Sequence, residues 1–146
     1  MTNQIRLSLW DRLFMRFATD VSNMSHAIRL NVGAVAVRDK RVIAIGYNDT
    51  PSGEDNCCEI IDKTNFGKLI TKTNVVHAEA NLIKYAKENN IDLYGCTLYI
   101  THSPCPSCGQ LVIDTGFSEV VFGKHYRIVS DLSKLTEAGI NVREYN

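Results

Sequence analysis

The chain has 146 residues, 45% of them hydrophobic, and its 16 Lys and Arg balance 16 Asp and Glu to a formal net charge of zero. That length and composition suit one globular domain over residues 1–146 and exclude disorder as the default state. Zero net charge argues against a long nucleic-acid or anionic-membrane surface, and leaves room for a small charged ligand held by a few local cations. The longest apolar runs, such as Val32 to Val37, fall far short of the roughly 20 residues that span a bilayer. A soluble, unprocessed, cytoplasmic protein is expected.

Along the chain, Leu9, Leu13, Met15, Phe17, Val21 and Met24 recur at near-helical spacing and predict an amphipathic helix from about Leu7 to Asn23. Two short β-branched runs, Val32 to Val37 and Val42 to Gly46, flank the charged turn Arg38-Asp39-Lys40-Arg41 and predict a hairpin. Tyr47 to Asn74 reads mostly as loop, with a helical turn expected near Cys57 to Thr64. His77 to Glu88 is predicted helical because Ala78, Leu82, Ile83 and Ala86 share one face. Strands at Cys96–Thr101, Glu119–Gly123 and Ile140–Tyr145 then alternate with helices at Pro106–Thr115 and Ser130–Ala138, the last two closed by Gly116 and Gly139. Strands separated by helices of about ten residues predict an α/β fold: a three-layer α/β/α sandwich around a five-stranded mixed sheet whose later strands run parallel.

There are five cysteines, an odd number, at Cys57, Cys58, Cys96, Cys105 and Cys108. An odd count without a signal peptide points away from a secreted disulfide framework and toward metal binding or catalysis. His77-Ala78-Glu79 is followed by Pro104-Cys105-Pro106-Ser107-Cys108. Zinc accepts imidazole nitrogen and thiolate sulfur, and a catalytic site keeps three protein ligands and one open position. His77, Cys105 and Cys108 supply the three. Pro106 suits the first helical position, which places Cys105 at an N-cap and Cys108 in the first turn, where the helix dipole favours thiolate. Glu79, two residues from His77, would face the open position as general acid and base. A Cys-x-x-Cys alone would serve equally as a redox pair; the His-x-Glu at a second helix start is what favours catalytic zinc.

These motifs resemble the cytidine-deaminase superfamily. The run Gly46-Tyr47-Asn48-Asp49-Thr50-Pro51-Ser52-Gly53 after the hairpin narrows the resemblance to the deoxycytidylate (dCMP) deaminases, as does His77 where free-nucleoside deaminases usually carry a cysteine. The resemblance implies one catalytic zinc per chain and hydrolysis of dCMP to dUMP and ammonia, supplying the dTMP precursor in pyrimidine deoxynucleotide metabolism. Zinc would acidify water while Glu79 carries protons to N3 and to the departing amine. It further implies that Asn48 bonds the deoxyribose hydroxyl and that Ala78 offers its amide to the base. Ser103 adds a substrate contact, Ser25 and Arg29 cradle the phosphate, and Tyr126 and Arg127 close the other side. A homo-oligomer, a hexamer in relatives, is expected, with no nucleic-acid or membrane partner. A tRNA adenosine deaminase shares both zinc motifs but needs a basic surface, and a zinc-bearing module without activity has no use for Glu79.

Three further features carry expectations. Cys57-Cys58 resembles the paired cysteines of phage-type members, whose first cysteine helps to hold a second, structural zinc. Ala27 and Val75 stand at two companion positions, so a second zinc is not expected. Asp49 replaces the glycine of the Gly-Tyr-Asn-Gly turn around which relatives bind regulatory dCTP and dTTP, and its charge would repel a triphosphate. His102 and His125 are expected at the surface or behind the site, and Cys96 in the core.

Overall fold

The structure is a computed structural model that describes residues 2–64, 67–125 and 132–146. In chain order the elements are α1 (Asn3–Ser22), β1 (Gly33–Arg38), β2 (Arg41–Tyr47), β3 (Glu59–Asp62), β4 (Lys68–Thr71) and α2 (Ala78–Glu88). They continue with β5 (Thr97–His102), α3 (Pro106–Thr115), β6 (Glu119–Lys124), α4 (Ser133–Glu137) and β7 (Asn141–Glu144). Five strands form a mixed sheet in the order β2-β1-β5-β6-β7. β1 pairs antiparallel with β2 and β5, whereas β5, β6 and β7 run parallel.

Strand side chains alternate between faces with a period of two, and this divides the core into two layers. Ala34, Ala36, Leu98, Ile100, Val120 and Phe122 face a cluster built with α2, α3 and α4. Their neighbours Val35, Val37, Tyr99 and Val121 face α1, against Phe14, Met15, Ala18 and Val21. The expected three layers and mixed sheet are therefore present.

Three expectations are corrected. The segment read as loop with a helical turn near Cys57 to Thr64 contains a second, two-stranded sheet, with Ile60 opposite Ile70 and Ile61 opposite Leu69. Its β-branched residues outweigh the turn formers around them. α1 begins four residues earlier than Leu7, because the Thr2 hydroxyl caps it by accepting from the Ile5 amide. The apolar stripe predicted for α1 is also split: Met15 and Val21 are buried, while Leu9, Leu13, Phe17 and Met24 are 46%, 51%, 41% and 60% exposed. Residues 130–131 of the predicted helix lie outside the described residues.

One close approach fixes the site. A Cβ on Gly46 of β2 would collide with the Ala78 carbonyl and stand 2.6 Å from the Leu82 amide nitrogen. Only a residue without a side chain lets the first turn of α2 lie this close to the sheet.

Candidate active site

His77 is the N-cap of α2 and Cys105 the N-cap of α3, both with extended backbone and neither using its side chain to cap. Pro106 begins α3 because its missing N–H costs nothing there and its fixed φ suits the first turn. Cys108 follows within that turn. Freed from capping, the side chains converge. His77 Nδ1 lies 3.5 Å from Cys105 Sγ and 3.4 Å from Cys108 Sγ, and the three ligand atoms lie within 4.8 Å of one another.

These spacings test the fit of a metal. Zinc–sulfur bonds of about 2.3 Å and zinc–nitrogen bonds of about 2.0–2.1 Å at a tetrahedral angle separate nitrogen from sulfur by about 3.5 Å. The observed contacts match, so the donor set fits zinc. The thiols point the same way. The hydrogen bond from Cys108, and then the contact with His77, pull the Cys105 thiol down to about 3. The same sulfur–sulfur contact, together with burial, pushes the Cys108 thiol up. Two sulfurs at the start of α3 and an imidazole at the start of α2 form an arrangement that a divalent cation completes.

Glu79, in the first turn of α2, is 3% exposed, and burial raises its pKa above the ordinary carboxylate value. Its side chain contacts Cys108, so a carboxyl able to hold a proton adjoins the donor set without belonging to it. Among the described residues, His77, Cys105 and Cys108 are the one group whose ligand atoms converge in this way. Cys57 lies outside it and donates to the Glu59 carbonyl at 3.2 Å. Burial and the Asp49 carboxylate push the Cys58 thiol up to about 11.

A cavity of about 50 Å³, room for a few waters, opens beside the cluster. Asn48, Ala78, Glu79 and Ser103 line it. Asn48 also holds the turn: its Oδ1 accepts from the Val32 amide at 2.8 Å and its Nδ2 donates to the Leu30 carbonyl at 2.7 Å. Ser103 is buried, and its amide donates to the Lys124 carbonyl. Ser25 and Arg29 do not line the cavity. Ser25 Oγ donates to the Asn48 carbonyl at 2.6 Å, and the exposed Arg29 guanidinium donates to Thr71 Oγ1 at 3.1 Å. Thr71 does line the cavity, so Arg29 sits one residue behind the wall. Tyr126 and Arg127 lie outside the described residues.

Sequence reasoning missed part of the enclosure. Thr71 and Val75, in and after the small β3–β4 sheet, form a wall with Ala27 and Leu30. The Glu59 carboxylate accepts the amides of Ile28 and Arg29 at 2.8 and 2.9 Å, fastening that sheet to the segment after α1. No short-range signal marks a strand-to-loop bond spanning thirty residues. His102 belongs to the cavity wall rather than behind it, and burial, followed by Lys124, lowers its pKa and keeps it neutral. Asp49 turns inward, to His26 Nδ1 at 2.6 Å and the Thr50 amide at 2.9 Å. Burial raises its pKa, but these hydrogen bonds and one from Cys58 outweigh it and hold the carboxyl below its ordinary value.

Two helix starts holding His, Cys and Cys, with a buried carboxyl beside them, define a metal-dependent hydrolytic class of site. A profile described as the cytidine and deoxycytidylate deaminase zinc-binding region matches residues 8–124, and the chain belongs to that family. It is 36% identical to a deoxycytidylate deaminase of Saccharomyces cerevisiae over 94% of its length, spanning 45% of that protein. It is also 36% identical to a deoxycytidylate deaminase of Mycobacterium phage D29, with 79% of this chain and 94% of that one covered. A crystal structure of the dCMP deaminase of cyanophage S-TIM5 in complex with dCMP and dUMP superposes with a TM-score of 0.84 at 32% identity, covering 99% of both chains.

Proposed function

We propose that this chain hydrolyses dCMP to dUMP and ammonia in pyrimidine deoxynucleotide metabolism, acting as one catalytic domain over residues 1–146. The observation that carries the reading is Glu79, buried in contact with Cys108 at the edge of the His77, Cys105 and Cys108 donor set. His77, Cys105 and Cys108 would hold one zinc per chain, whose Lewis acidity makes water a nucleophile at neutral pH. Glu79 would take a proton from water and pass it to N3 of the cytosine, then take a second from the hydroxyl added at C4 and deliver it to the amine as it leaves. Its raised pKa suits both halves of that traffic, because a group that only ever ionised could not return the proton. The Ala78 amide is among the first four N–H groups of α2, which have no partner within the helix, and is available to the base. Asn48 and Ser103 are the polar wall for sugar and base, and neutral His102 adds a further polar face.

Phosphate selection is assigned to Arg29, with Ser25 bracing the turn behind Asn48; Tyr126 and Arg127 are the further phosphate-side residues that the resemblance implies. The protein acts as a homo-oligomer, a hexamer if it follows the resemblance, in the cytoplasm. Among the described residues no helix is long and apolar enough to cross a membrane. The test is a panel of dCMP, CMP, deoxycytidine and dCTP followed by ultraviolet absorbance, with metal content measured on the same sample. Turnover of dCMP well above the other three is expected, together with one zinc per chain. Turnover of deoxycytidine equal to dCMP would overturn the phosphate assignment, and activity in a metal-free sample would overturn the mechanism.

A further inference from the structure

The outer face of α1 is apolar although α1 already buries a full stripe on the sheet. Leu9, Leu13 and Phe17 are 41–51% exposed, a line of large side chains on one helix. Following that line through its polar members gives Arg6, Leu9, Leu13, Phe17 and Asp20, at steps of three, four, four and three residues. Such steps keep side chains on one narrow seam of a helix, as in the pairing of two helices. The seam is also a palindrome about Leu13. Leu9 and Phe17 stand four residues to either side, and Arg6 and Asp20 seven residues to either side.

We propose that two copies of this chain pair through α1, antiparallel across a two-fold axis at Leu13. An isologous contact requires a patch complementary to itself, so that residue i meets residue j and j meets i. In this register each Leu13 meets its counterpart, each Leu9 meets Phe17 of the other copy, and each Arg6 meets Asp20 of the other copy, twice by symmetry. Among the described residues neither Arg6 nor Asp20 makes an ion pair within its own chain. The register uses nearly the whole 20-residue helix, about 30 Å of contact. A lipid surface is a poorer occupant, because Asp20 lies within the seam where an interfacial helix carries apolar groups flanked by cations. This inference does not depend on the catalytic reading.

Sedimentation velocity on the full chain over a wide concentration range tests it. The wild type is expected as a dimer or an even multiple, and Leu13→Arg, which opposes two charges on the axis, is expected to lower the assembled mass by half or more. Asp20→Arg alone should weaken the assembly, and combining it with Arg6→Asp should restore it, because the swapped pair again attracts. In a Cys57→Ser background, Leu13→Cys should form an interchain disulfide on mild oxidation while Ser8→Cys, off the seam, should not. The last two arms stand if Leu13→Arg fails to fold. A monomeric wild type, an unchanged mass in folded Leu13→Arg, no rescue by the double swap, cross-linking through Ser8→Cys instead, or α1-dependent binding to lipid vesicles would each overturn the proposal.

Discussion

The two faces of the sheet are held in opposite ways. On the α1 face, charges are spent on architecture. The Arg143 guanidinium of β7 forks onto Asp11 of α1 at 2.7 and 3.1 Å and onto Glu119 of β6 at 3.1 and 3.2 Å, and the Tyr99 hydroxyl donates to Asp11 at 2.8 Å. Asp11 and Glu119 each have a partner of opposite charge there. On the α2–α3 face, like groups crowd together instead: the Cys105 and Cys108 thiols adjoin each other, and the Glu79 carboxyl is buried beside Cys108. The first arrangement lowers the energy of the fold. The second stores unsatisfied demand that a cation and a substrate would meet, which is the usual relation between stability and function at a site.

Substitutions should therefore separate turnover from stability according to the face they touch. The largest effect is expected for Glu79→Ala. General acid–base catalysis is commonly worth about 10²- to 10⁴-fold, and one residue making several transfers should reach the top of that range. Metal content should be retained and the melting temperature no lower than wild type, since a buried carboxyl is removed; a coincident loss of metal would blur the comparison. Next comes Arg29→Ala, which should raise KM for dCMP by about 10- to 100-fold while sparing deoxycytidine, as a charged hydrogen bond of about 1.5–3 kcal/mol requires. Equal loss on both substrates would make Arg29 a brace for Thr71 and leave the phosphate to other residues.

On the other face, Asp11→Asn should leave kcat/KM unchanged and lower stability at neutral pH by about 1–2 kcal/mol, the modest figure reflecting the partial exposure of Arg143. Burial alone would raise the Asp11 carboxyl, but Arg143 and Tyr99 outweigh it and hold the group below its ordinary 3.8. Its contribution is thus complete above that value and lost as pH falls through the lower folded value. Denaturant titrations should show the gap between variant and wild type closing below about pH 4; a gap that persists would show packing, not charge, at work. The smallest effect concerns regulation. Asp49 is engaged with His26 and Thr50 at the position where the resemblance implies a glycine, so saturation by dCMP should be hyperbolic and unmoved by dCTP or dTTP with Mg²⁺. A sigmoidal curve made hyperbolic by dCTP would overturn this.

The main sheet was legible in the sequence because its signals are local. The β-branched runs Val32 to Val37 and Val42 to Gly46 and the charged turn between them predict the β1–β2 hairpin, and Pro106 and Gly116 bracket α3. The donor set was legible for the same reason: N-caps and first turns are fixed by residues two or three apart. What resisted reading is set by distant partners. Nothing near Glu59 in sequence announces that it ties down the Ile28 and Arg29 amides, or that Thr71 and Val75 wall the cavity. α1 misled for another reason. Phe14, Met15, Ala18 and Val21 face the sheet while Leu9, Leu13 and Phe17 face outward. Periodicity reports that a helix has apolar residues, and cannot rank two stripes when both are apolar.

The close packing at Gly46 has a consequence for how this protein would tolerate variation. A saturation scan of β2 would find Ile45, half in solvent, permissive, whereas at the next position every replacement would push the start of α2, and His77 with it, away from the sheet. Damage there would be read as lost metal affinity in a folded chain, although Gly46 belongs to neither the donor set nor the cavity wall. Inactivating alleles of this gene should therefore include a hidden class in a strand, whose lesion is a single methyl group and whose phenotype is that of a missing ligand.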